Sequence, residues 1–136
     1  MSERPEHLNN VRRWLQYAQE DLETAVVLLK RDDIVPRHVC WLAQQGAEKA
    51  IKAALIFVAI DFPRQHDLDA LRNRLPADWL IKQQFPDLAE LTEWAVESRY
   101  PGEWPEAMMN DAKLAVEQAC GVFESIWSDL RQRDFA

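Results

Sequence analysis

Three stretches of the chain hold residues whose types and spacing could do chemistry. The first is Gln44, Gln45, Glu48, Lys49 and Lys52, set in the run Cys40 to Leu55, where small residues occupy another face. The second is His66-Asp67-Leu68, and the third is Ser98-Arg99-Tyr100-Pro101-Gly102. An arginine offers a planar fork that fits phosphate, and a tyrosine ring can stack on a base. A histidine exchanges protons near neutral pH. Lys49 and Lys52 would add positive charge if they lined one groove with Gln44 and Gln45. Each stretch also has a plainer reading. Glu48 and Lys52 stand four apart with the glutamate first, the favourable order for an exposed helix pair, which is worth about 0.3–0.5 kcal/mol. Arg99 could complement the negative end of a helix, Tyr100 could pack, and Pro101-Gly102 could turn the chain. His66 could simply open a helix. Both sets of readings stay open on these residues alone.

Other chemistries are not supported. The three histidines and two cysteines show no metal-ligand spacing. There is no phosphate-binding glycine loop, no dinucleotide fingerprint and no nucleophile elbow. No cofactor and no metal site is expected.

With 136 residues the chain reads as one domain, 1–136, long enough for a real core. Its net charge of −7 argues against broad binding to duplex DNA, because that affinity comes from lysine and arginine on phosphates. A small basic site and a basic protein partner both remain compatible. The longest apolar run, Ala53 to Ile60, is too short to span a bilayer, and Met1 to Glu6 has no apolar signal region. The expected location is therefore the cytoplasm, with no membrane partner. Cys40 and Cys120 read as buried, reduced thiols.

The apolar spacing is helical almost throughout. Helix one is expected over residues 7–30, with Val11, Trp14, Leu15, Ala18, Leu22, Ala25, Val26 and Leu29 inward. Helix two is expected over 37–60 after Pro36, with Val39, Leu42, Ala43, Ala47, Ala50, Ala54 and Phe57 inward. Helix three is short, 67–74, capped by Asp67, with Leu68, Leu71 and Leu75 inward. Residues 76–86 read as an irregular connection. Helix four is expected over 87–98 and helix five over 105–131. The fold class is thus all-α: an up-and-down helical bundle of four main helices plus one short helix. Counting directions through such a bundle puts the His66 turn and the Arg99–Trp104 loop at the same end. Trp41, Trp79 and Trp104 flank turns or polar faces and read as interface candidates.

Taken in order, these segments resemble the HEPN domain family (higher eukaryotes and prokaryotes nucleotide-binding). The matching residues are Trp14, Ala18, Asp21, Leu22 and Ala25; Ala43-Gln44-Gln45-Gly46-Ala47-Glu48-Lys49-Ala50-Ile51-Lys52-Ala53; His66-Asp67-Leu68; and Ser98-Arg99-Tyr100-Pro101. The resemblance implies a helical bundle, usually a homodimer. It also implies a separate minimal nucleotidyltransferase chain as partner, in pairs that look like toxin–antitoxin modules. Active ribonucleases of the family carry an arginine followed four to six residues later by a histidine. This chain departs from that pattern, since no histidine follows Arg99, and the usual general acid/base is missing.

The leading expectation is a HEPN nucleotide- or single-stranded-RNA-binding protein, one component of a two-protein module. Its ligand-binding residues would be Arg99, Tyr100, Lys49, Lys52, Gln45 and His66. One alternative is a metal-independent ribonuclease toxin using Arg99 and His66. The other is a pure protein-interaction module without ligand.

Overall fold

Three long amphipathic segments dominate the architecture because each can bury one face on the others. The computed structural model of the chain describes residues 3–95, 101, 102 and 104–135. These form α1 (Glu3–Leu28), α2 (Pro36–Phe57), α3 (Leu68–Asn73), α4 (Leu80–Gln84), α5 (Ala89–Glu93) and α6 (Met109–Gln132). No strand occurs among the described residues. The all-helical bundle expected from the apolar spacing is what the chain forms.

α2 is the central helix, packed against both α1 and α6. α1 and α2 are antiparallel: His7 Nε2 donates to the Phe57 carbonyl at 3.3 Å, while Asp21 meets Lys49. Small residues set the spacing. Ala18 and Ala25 on α1, Ala43, Gly46, Ala47, Ala50 and Ala54 on α2, and Ala112 and Ala119 on α6 are all buried.

The connection between α2 and α6 differs from the expected path. Within residues 87–95, the described part of the expected 87–98 helix, only Ala89–Glu93 is helical; 96–100 lie outside the described residues. The stretch expected to be irregular contains α4. None of α3, α4 and α5 is long enough to run the length of α2, so counting alternate directions through them fails. Consequently α6 runs parallel to α2. Its C-terminal Phe135 packs edge-to-face on Phe57 at 5.9 Å, and Ala107, just before it, shares a surface pocket with Pro36 at the start of α2. α6 begins at Met109, later than Pro105, because the Asp111 carboxylate accepts from the Met108 N–H at 2.8 Å and fixes the first turn there.

α3 forms as expected. Asp67 Oδ1 accepts from the Ala70 N–H at 3.1 Å, and Leu68, Leu71 and Leu75 are buried. Asp69 and Thr92 then tie α3 to α5: Leu88 N–H donates to Asp69 Oδ1 and Leu68 N–H to Thr92 Oγ1. Trp79 is a core residue, not an interface one, whereas Trp41 and Trp104 are exposed. Cys40 is buried and Cys120 half-buried, and neither is in a disulfide. No helix is long and apolar enough to cross a membrane among the described residues.

Candidate functional site

α2 has three sides to account for. Two are covered by α1 and α6. The third carries Gln44, Glu48 and Lys52, one helical turn apart, and the segment between α2 and α3 folds back over it. All three polar side chains are therefore buried. Burial of this kind is costly unless each group is satisfied, and here each is.

Glu48 is the hub. Its Oε2 accepts from Lys52 Nζ at 2.8 Å. Its Oε1 accepts from Gln44 Nε2 at 3.1 Å and from His66 Nδ1 at 2.7 Å. Gln44 Nε2 also donates to the His66 carbonyl at 3.1 Å, and Gln44 Oε1 accepts from Gln45 Nε2 at 2.8 Å. Burial by itself would raise the Glu48 carboxyl. The hydrogen bonds from Lys52, His66 and Gln44, with the Lys52 charge, outweigh it and hold Glu48 below the usual carboxylate range.

The ionised Glu48 can only accept, so Nδ1 of His66 must carry the proton that it shares with Oε1. The neutral ring then keeps its lone pair on Nε2, a tautomer assigned here from the partner. Nε2 has no hydrogen-bond partner among the described residues, and the His66 side chain is 62% exposed against 6% for Glu48. A buried carboxylate orienting an exposed imidazole can move a proton at that imidazole's free nitrogen.

Lys52 closes the cluster on its other side. Its Nζ lies 5.9 Å from the Trp14 ring centre and 5.6 Å from that of Phe62, and those rings meet edge-to-face. Lys49, on the neighbouring edge of α2, is paired with Asp21 of α1 at 2.5 Å.

The family comparison settles the lineage of this architecture: the HEPN domain matches residues 11–132. The chain belongs to the HEPN domain family. It is similar to "Putative toxin MJ1304" of Methanocaldococcus jannaschii, 34% identical over 135 residues covering 88% of each chain. Among solved structures it resembles ST0689, an archaeal HEPN homologue, with TM-score 0.67 and 28% identity over 88% of this chain and 97% of that one. TT1696 from Thermus thermophilus shares the fold at TM-score 0.74, with 24% identity over 88% and 98% of the two chains.

Within this HEPN domain, four of the six residues singled out from sequence can be placed. Gln45, Lys52 and His66 belong to one hydrogen-bonded network around Glu48, and Lys49 sits beside it with its charge matched by Asp21. Arg99 and Tyr100 lie outside the described residues. The described part of their loop, Pro101, Gly102 and Trp104, lines a pocket with Val35, Pro36 and Arg37. That is the start of α2, about 18 Å along the helix axis from Glu48. His66 and this loop, expected at the same end of the bundle, are separated among the described residues: the loop lies at the start of α2, and His66 lies against its middle because the segment after Phe57 returns along the helix. The Glu48–Lys52 pair is buried rather than an exposed surface pair. Sequence reasoning paired Lys52 with Glu48 but assigned no partner to Lys49 and no aromatic neighbours to Lys52. The signal for Asp21 was its place on the inward stripe of α1, between Ala18 and Ala25. Among the described residues no group of His, Cys, Asp and Glu could hold a metal ion.

Proposed function

We propose that the chain is a toxin-like HEPN protein that engages single-stranded RNA or a nucleotide at the His66 centre. One observation carries the reading: the exposed His66 ring is held by a buried, ionised Glu48, with Nε2 left without a partner among the described residues. A ring fixed this way is oriented before a ligand arrives, so little ordering remains to be done on binding. The similarity to MJ1304 supports the toxin-like part. Arg99 and Tyr100 supply phosphate and base contacts in this reading, and Gln45, Lys49 and Lys52 shape the polar surroundings. The partners are a second copy of the chain and a separate minimal nucleotidyltransferase chain acting as antitoxin.

A second reading, metal-independent ribonuclease, is favoured by the same tautomer. His66 Nε2 would take the proton of a ribose 2′-hydroxyl as that oxygen attacks the adjacent phosphorus. The bond from phosphorus to the 5′-oxygen breaks, and that oxygen takes a proton from water. A cyclic phosphate end and a 5′-hydroxyl end result. Glu48 would steady the imidazolium, and Arg99 the phosphate charge.

The test is titration of a fluorescent single-stranded RNA with wild type, His66→Ala and Arg99→Ala, with chelator present throughout. Weaker binding by the variants supports the reading, and equal binding by all three overturns it. Cleavage by wild type that either substitution abolishes selects the ribonuclease.

A further inference from the structure

The His66 network does not end at Lys52. Trp14, which lies under the Lys52 ammonium, also lines a neighbouring surface pocket with Asn10, Arg13, Tyr17 and Lys49. The four α1 residues are spaced 10, 13, 14, 17, so they share one face of the helix. The pocket has a volume of about 320 Å³, at the small end of the range for ligand pockets. Trp14 is pinned by the edge of Phe62. Tyr17 is not pinned: it is 51% exposed. Arg13 is exposed and makes no ion pair among the described residues, unlike Lys49 and Lys52.

The pocket pairs a half-exposed tyrosine with a guanidinium that makes no ion pair among the described residues, on a chain of net charge −7. Such a pairing suits an unpaired nucleobase and its flanking phosphate, because bases stack on aromatic rings whatever their identity, and arginine binds phosphate in a fork. We infer that the pocket of Asn10, Arg13, Trp14, Tyr17 and Lys49 is a nucleotide subsite beside the His66 centre, with the base on Tyr17 and the phosphate on Arg13. The inference rests on the proposed function and adds to it where the nucleotide next to the His66 ligand lies. Asn10 supplies an amide able to donate to and accept from a base edge. The same chemistry is offered by a free nucleotide and by a nucleotide within RNA.

The test titrates the whole chain with adenosine monophosphate and, separately, with a short single-stranded RNA. Tyr17→Ala is expected to weaken RNA binding about tenfold, and Tyr17→Phe to keep it. Arg13→Gln is expected to weaken binding and reduce its salt dependence by about one phosphate contact. If the monophosphate shows the same dependence on Tyr17, the subsite takes free nucleotide. If only RNA shows it, the subsite reads a strand. RNA binding that His66→Ala weakens but Tyr17→Ala and Arg13→Gln leave intact overturns the subsite and keeps the His66 centre. Binding that depends on Tyr17 but not on His66 does the reverse. Absence of binding by wild type overturns both.

Discussion

His66 Nδ1 lies 2.7 Å from Oε1 of Glu48, so the most exposed member of the polar cluster is attached directly to its hub. The two residues should therefore respond very unequally to substitution. Glu48→Gln removes the charge opposite Lys52, whose side chain is only 9% exposed. A buried ammonium left without its carboxylate typically destabilises by about 3–5 kcal/mol. His66→Ala removes a side chain largely in water and is expected to change stability by less than about 1 kcal/mol. Urea denaturation of the two variants checks both numbers. A large loss for His66→Ala would make the ring a structural strut and weaken its functional assignment.

The same hub predicts an acid limb of stability. Glu48 is held below its ordinary value, so the folded state binds this proton less readily than the unfolded chain. The stabilisation is present above the unfolded carboxylate value of about 4.3 and is lost as pH falls through the lower folded value. Melting temperature measured from pH 7 downward should show this component failing below about pH 4. In Glu48→Gln that component is missing, so the gap between variant and wild type should narrow over the same range. A gap that stays constant down to pH 2 would contradict the linkage.

Much of this arrangement is legible in the sequence, and the limits have physical causes. The long stripes of α1, α2 and α6 each span several turns, so period alone identifies them. Asp67 announces α3 because its cap is local. α4 is not legible: its five residues rest on Asp129, 49 positions away from Leu80. The polar edge of α2 can be seen as unusual, but its burial cannot, because the covering segment is the loop after Phe57. Val26 shows the reverse. It fits the periodic stripe, yet it is exposed beside a surface groove between α1 and α6.

Gly46 tests how closely α1 and α2 approach. A Cβ there would lie 2.6 Å from Leu22 Cγ and Cδ2 and 3.3 Å from the Ala18 carbonyl oxygen. Alanine favours a helix over glycine by about 1 kcal/mol, while overpacking costs about 1–3 kcal/mol. Gly46→Ala should therefore destabilise, by roughly 1 kcal/mol net. In a double-mutant cycle with Leu22→Ala the two losses should be less than additive, since trimming Leu22 removes the clash. Strict additivity would mean that the helices separate instead.

Ala59 marks the turn that sends the chain back towards His66. Its N–H donates to the Ile56 carbonyl, and the Ile60 N–H to the Leu55 carbonyl, closing α2 with a left-handed residue at φ +59°. This conformation costs an L-residue about 1–2 kcal/mol relative to glycine. Ala59 is exposed, so its methyl adds little buried area. Ala59→Gly should raise stability by about 1 kcal/mol, less whatever the freer unfolded chain takes back. Calorimetry on that variant gives the sign directly, and a lower melting temperature would refute the capping argument.

Asp129 holds the other side of the bundle. It is 2% exposed, its Oδ2 accepts the Leu80 N–H at 2.7 Å, and its Oδ1 accepts from Arg133 at 3.0 Å. The Leu80 N–H opens α4 and has no acceptor within its own helix. Arg133 in turn lies 4.3 Å over the ring of buried Trp79 and pairs with Asp78. One carboxylate therefore fixes a helix start, a guanidinium and, through it, an indole. Asp129→Ala leaves a half-buried donor and an arginine without their acceptor, and should destabilise by about 2–3 kcal/mol. Asp129→Asn keeps one carbonyl oxygen for Leu80 and should lose less. Hydrogen exchange separates this local effect from general weakening. The Leu80 amide should exchange much faster in Asp129→Ala, while the middle of α2 changes only as far as global stability falls. Unchanged protection at Leu80 would mean that packing of Trp79 and Ile81 alone holds α4 in place.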